Sequence, residues 1–118
     1  MTQQITLYHN PRCSKSRQTL ALLEAHDVKP TIRLYLEQPP SAAELREVLR
    51  LLDMPARALL RRGESVYQEL GLDNPALSEA ELIEHMVRHP ILIERPIALT
   101  DSEARIGRPP ENVLDLVS

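Results

Sequence analysis

"ITLYHNPRCSKSRQTL", residues 5–20, changes from one periodicity to another within a few positions. Ile5-Thr6-Leu7-Tyr8 alternates and is β-prone, which predicts a strand. From Ser14 to His26 helix formers dominate, with Leu20, Leu22 and Leu23 as the apolar residues, which predicts a helix. His9-Asn10-Pro11-Arg12 is the turn that joins them. Thr31 to Leu36 reads as a second strand. Strand, helix and strand at this spacing predict a βαβ unit with parallel strands.

Further along, Ser41 and Glu44 in PPSAAELREVLRLL form a capping-box pair. Leu45, Val48, Leu49 and Leu52 then follow the spacing of one helix face. Ala56 to Arg62 reads as a short helix ending at Gly63, and Ser65 to Leu70 as another stopped by Gly71. A second capping box, Ser78 with Glu81, opens a helix carrying Leu82, Ile83, Met86 and Val87, which His89-Pro90 ends. Ile97-Ala98-Leu99 and Ala104-Arg105-Ile106 fit a hairpin. Pro109-Pro110-Glu111 begins a last helix holding Val113, Leu114, Leu116 and Val117. The order is β-α-β, a helical insert, then β-β-α. This α/β order matches the thioredoxin-like arrangement, a four-stranded mixed sheet flanked by helices. The insert falls between the two halves, and residues 1–118 are expected to form a single domain.

Composition agrees with that expectation. The chain has 118 residues, 42% of them hydrophobic, enough for one core. Its ten prolines are spread as punctuation and mark no domain boundary. The formal net charge of -3 gives no pull toward nucleic acid or anionic lipid. With no Phe or Trp and three Tyr, the core must be aliphatic and base-stacking platforms are excluded. No apolar run is long enough for a membrane span, and MTQQITLYHN lacks the features of a secretory signal. One cysteine cannot make an internal disulfide, so a reducing, cytoplasmic compartment is expected.

That cysteine is Cys13, placed where the first strand gives way to the first helix. The first N–H groups of a helix are free and its dipole is positive there. Both favour a thiolate over a thiol, and strand-to-helix turns with basic neighbours are where reactive thiols occur. Arg12, Lys15 and Arg17 add positive charge, and Ser14 and Ser16 offer hydrogen bonds to sulfur or to an anion. The same N–H array suits a phosphate-sized oxyanion. A buried structural cysteine is the competing reading. In Cys13-Ser14-Lys15-Ser16 a serine occupies the second place of a CxxC pair, so a dithiol route is closed. Any adduct on Cys13 must be resolved by a thiol from outside the chain.

HNPRCSKSR (9–17) resembles the glutathione- and glutaredoxin-coupled arsenate reductase (ArsC) family. So do TIRLYLEQPPSAAEL (31–45), RALLRRGESVYQELGL (57–72), HPILIERPIALT (89–100) and GRPPENVLDL (107–116). The resemblance runs through the whole chain in order. It implies that Cys13 is the nucleophile that attacks arsenate. It implies that Arg61, Arg95 and Arg108 hold the oxyanion, and that His9 and Ser16 tune the thiolate, with Arg17 also shared by the motif. It implies glutathione as external reductant, glutaredoxin as partner and no bound cofactor; a monomer is expected. It further implies a cis Arg95-Pro96 bond facing the cysteine. Physical chemistry agrees: a thiolate approaches an arsenate anion only if cations offset the repulsion, and the planar fork of arginine bonds two oxygens at once.

Other candidates are weaker. His85 and His89 are spaced i, i+4, yet no third ligand with sensible spacing exists, so no metal is expected. Arg46, Arg50, Arg57, Arg62 and Arg105 read as solvated faces. Glu79 and Glu81 complement a helix start, and Asp101 and Glu103 belong to a turn. With three glycines, the chain has no Gly-rich phosphate loop. Two further functions fit the same scaffold. One is a glutathione-dependent thiol oxidoreductase that needs Cys13 and not the three arginines. The other is a redox-responsive interaction module, against which the missing second cysteine counts.

Overall fold

A computed structural model describes residues 4–117; Met1 to Gln3 and Ser118, the ends of the expected domain, lie outside the described residues. The chain forms two compact units. The first comprises the chain up to Gln38 and from Arg95 onward, and the second comprises Pro39–Glu94.

The first unit holds β1 (Thr6–Tyr8), α1 (Ser14–Ala25), β2 (Thr31–Arg33), β3 (Ile97–Leu99) and β4 (Ala104–Ile106), followed by a 3-10 helix at Pro110–Leu116. The strands form one four-stranded sheet in the order β2-β1-β3-β4. β1 pairs parallel with β2, and β3 pairs antiparallel with both β1 and β4. This is the mixed sheet that the βαβ and hairpin readings predict. Its aliphatic core gathers Ile5 and Leu7 from β1 and the residue before it, Leu23 from α1, Ala98 from β3, and Val113 and Leu116.

The first helix presents Ser16, Thr19 and Leu23 to the interior, so a polar side chain is buried at its start. It ends without glycine. Asp27 takes φ 61°, and the Val28 N–H reaches the Leu23 carbonyl at 2.9 Å while the Asp27 N–H reaches Glu24 at 3.0 Å. That double bond pattern is a Schellman ending, and Val28 packs with Leu23 against the core as such endings do.

Three expectations are corrected in detail. The second strand stops at Arg33, not Leu36, because the Leu34 carbonyl accepts from the N–H groups of Glu37 and Gln38 and closes a turn. The short helix from Ala56 ends at Leu59, not Arg62. There Leu60 bridges to Ile93, the Arg61 N–H donates to Leu92 at 2.8 Å, and Glu94 donates to Leu59 at 2.9 Å, so strand-like pairing replaces helix. The last helix is 3-10. Pro110, Val113 and Leu116 recur every third residue and are buried, and three residues per turn put them on one face.

The second unit holds α2 (Ala42–Leu52), α3 (Ala56–Leu59), α4 (Ser65–Glu69), α5 (Glu79–Arg88) and a 3-10 turn at Pro90–Leu92. Both capping boxes form, with each serine hydroxyl accepting from the glutamate N–H and each glutamate accepting from the serine N–H. Leu45, Val48 and Leu49 on α2 and Leu82, Ile83 and Met86 on α5 are buried, as their spacing predicts. Gly71, at φ 63°, follows α4 and takes the left-handed conformation that a helix stop requires. Glu79 also reaches across to α3, where its Oε2 accepts from the Ala56 N–H at 2.9 Å.

Candidate active site

Cys13 is the N-cap of α1, in extended conformation at φ -96°, ψ 124°. Its N–H donates to the Asn10 carbonyl at 3.0 Å, and its own carbonyl accepts the first helical bond from Arg17 at 3.0 Å. The Asn10 side chain tightens the turn by accepting from the Arg12 N–H at 3.0 Å. A sulfur where Ser, Thr or Asp would normally cap makes no side-chain bond to the first-turn N–H groups, and no acid occupies that turn. The start of α1 therefore keeps its positive end for an anion. The residue is 8% exposed.

The Ser16 hydroxyl is engaged beside the turn. Its Oγ lies 2.6 Å from His9 Nδ1 and accepts from the Asn10 N–H at 3.0 Å. Both side chains are buried. Burial, and after it the Arg17 guanidinium, holds the His9 imidazole below its ordinary value of 6.5. With the ring neutral, the Ser16 hydroxyl, one donor and two lone pairs, can serve both Nδ1 and the Asn10 N–H. Arg17 itself is exposed and donates from Nη1 to the Pro11 carbonyl at 2.9 Å, pinning the turn from outside. The unfolded chain protonates His9 more readily than the folded one, so stability falls as pH drops below the ordinary histidine value. Thermal midpoints measured at about pH 7.5 and about pH 5.5 should show a larger loss for the native chain than for His9→Gln. Equal losses would contradict this account of His9.

Of the expected arginines, Arg108 reaches the thiol directly. Its Nη2 lies 3.8 Å from Cys13 Sγ, and its Nε donates to the Arg95 carbonyl at 2.7 Å. Arg95 precedes Pro96 across a cis bond, as expected, and Arg108-Pro109 is cis as well. Arg95 buries its Nε and Nη1 atoms. Arg61 belongs to the second unit, where it pairs with Glu64 and places Nε 3.7 Å from Glu94. In the sequence Glu64, three residues along, reads as an ordinary helical pair, and Glu94 lies too far along the chain for its spacing to mark it. Cys13, His9, Ser16, Arg17 and Arg108 are thus gathered in the first unit at the end of β1 and the start of α1.

A cleft of about 270 Å³ opens beside the turn, lined by His9, Asn10, Pro11, Arg12, Leu34 and Glu37 among others. A larger hollow of about 630 Å³ belongs to the second unit and is lined by Arg46, Arg50, Asp53, Glu79 and apolar side chains, with no thiol or hydroxyl among them. Among the described residues, no three His, Cys, Asp or Glu side chains cluster as a metal site would require. No helix among them is long and apolar enough to cross a membrane.

Comparison with known proteins follows the same line. A family model described as the ArsC family matches residues 8–116. The uncharacterized protein YfgD of Escherichia coli K12 is 54% identical over 118 residues, 99% of each chain. The arsenate reductase of Haemophilus influenzae is 46% identical over 114 residues, 96% of this chain and 98% of that one. A solved arsenate reductase from Vibrio cholerae superposes with a TM-score of 0.96 at 45% identity, covering 99% of this chain and 100% of the other.

Proposed function

The chain belongs to the ArsC family, and from that membership and the surroundings of Cys13 we propose that it reduces arsenate to arsenite with external thiols. Cys13 is the nucleophile. Glutathione attacks the adduct that forms on it, and glutaredoxin takes up the oxidised thiol. The net reaction is H₂AsO₄⁻ + 2 RSH → H₂AsO₃⁻ + RSSR + H₂O. Arsenic falls from As(V) to As(III), two thiols become a disulfide, and one arsenate oxygen leaves as water. With one cysteine in the chain, both electrons come from outside.

The observation that carries this reading is Arg108 Nη2 at 3.8 Å from Cys13 Sγ, at the uncapped start of α1. A guanidinium and a helix N-terminus beside one sulfur offset the charge of an incoming oxyanion. Arg95, with buried guanidinium nitrogens, is the second oxyanion arginine, and the likeness of the RALLRRG segment to the family's sequences is what supports Arg61 for the same task. The neutral His9 and its Ser16 partner hold the turn that presents the sulfur. No bound cofactor or metal enters the scheme. A monomer working as one domain over residues 1–118, in a reducing cytoplasm, completes it. Incubation with arsenate, glutathione and glutaredoxin should yield arsenite. Arsenite formed at the rate of a protein-free control would reject the proposal.

A further inference from the structure

Arg108 owes its place to the turn that carries it, and that turn is held from two sides. On the inner side is Gly107, whose N–H donates to the Pro96 carbonyl at 2.9 Å. A Cβ there would lie 2.7 Å from Thr19 Oγ1 and 2.8 Å from Pro96 Cγ. Neither neighbour yields readily: Thr19 is fully buried on α1 with its hydroxyl donated to the Lys15 carbonyl at 2.8 Å, and Pro96 is a rigid ring. The backbone at Gly107 is therefore pressed against the helix that begins at Cys13.

On the outer side is Asn112, from the 3-10 helix Pro110–Leu116. Its side-chain amide nitrogen donates to the Ile106 carbonyl at 3.3 Å and to the Arg108 carbonyl at 3.1 Å. An amide NH₂ has two protons, and here each meets a carbonyl, one on either side of Gly107. The clasp anchors the turn to a helix whose inner face, Pro110, Val113 and Leu116, is buried.

We propose that Asn112 is a positioning residue: by bridging the carbonyls of Ile106 and Arg108 it fixes the turn that holds the Arg108 guanidinium at Cys13. This rests on the reading of Arg108 as an oxyanion arginine. Asn112 touches neither sulfur nor substrate, and acts only through the arginine. A solvated asparagine on a 3-10 helix would otherwise be replaceable at no functional cost.

The test is a double-mutant cycle read by arsenate protection of Cys13 from iodoacetamide, which needs no turnover. In the native background, Asn112→Ala should raise the arsenate concentration for half-protection by about fivefold, the scale of two modest hydrogen bonds. In an Arg108→Ala background the same substitution should change it by less than about 1.5-fold, because the group it positions is gone. Asn112→Ser, with a shorter side chain that cannot span both carbonyls, is read the same way should the alanine variant fold poorly. Equal effects in both backgrounds, or none in the native one while Arg108→Ala weakens protection, would overturn the inference alone. Full protection retained by Arg108→Ala would overturn the oxyanion reading of Arg108 and the inference with it.

Discussion

Cys13→Ser should lower arsenate turnover with glutathione and glutaredoxin by at least about a thousandfold. Serine preserves the N-cap position and even improves it, since a hydroxyl accepts from first-turn N–H groups where sulfur makes no such bond. The variant should therefore fold at least as well as the native chain while losing the only thiol it has. A hydroxyl near neutral pH is a far weaker nucleophile than a thiolate, and His9 is engaged through Nδ1 with Ser16. Arsenite production measured under identical thiol concentrations checks this, with circular dichroism confirming the fold. Equal rates for the two proteins would remove Cys13 from the reaction.

The second large effect separates arsenate reduction from general thiol exchange. Arg95→Lys should lower arsenate turnover by about 10²–10³ while leaving exchange of Cys13 with glutathione disulfide within about threefold. Lysine keeps the charge and loses the planar fork, so one point donor replaces two parallel bonds to an oxyanion. The thiol keeps its helix start and its Arg108 neighbour in this variant. Parallel assays of arsenite release and of mixed-disulfide formation decide the matter. A matched fall in both would mean that the arginine supports the thiol itself, and Arg95 would then not separate the two activities.

Much of the fold was legible because its signals are local. Ser41 with Glu44 and Ser78 with Glu81 announce helix starts by themselves, and each box forms as read. The alternation in β1 and the apolar spacing of α2 and α5 likewise follow from single elements. The misreadings occur where a non-local partner decides. Arg61 looks helical until Leu92 takes its N–H, and Leu34 to Leu36 look extended until a turn takes the Leu34 carbonyl. Helix endings at Asp27 and Asp53 carry no glycine, so nothing in composition marks their positive φ. At the site, a lone cysteine after a strand and before a helix was readable, and so was its basic company. The Ser16 hydroxyl turning to His9, and the Asn112 clasp on Arg108, depend on backbone geometry that no residue pattern states.

The central claim is that Cys13, at the start of α1 and beside Arg108, is the nucleophile of an oxyanion site. Alkylation of Cys13 by iodoacetamide, followed with and without arsenate, tests this directly. Arsenate should slow alkylation of the native chain, and Arg108→Ala should lose part of that protection. Alkylation of the native chain at one rate with and without arsenate would contradict the account.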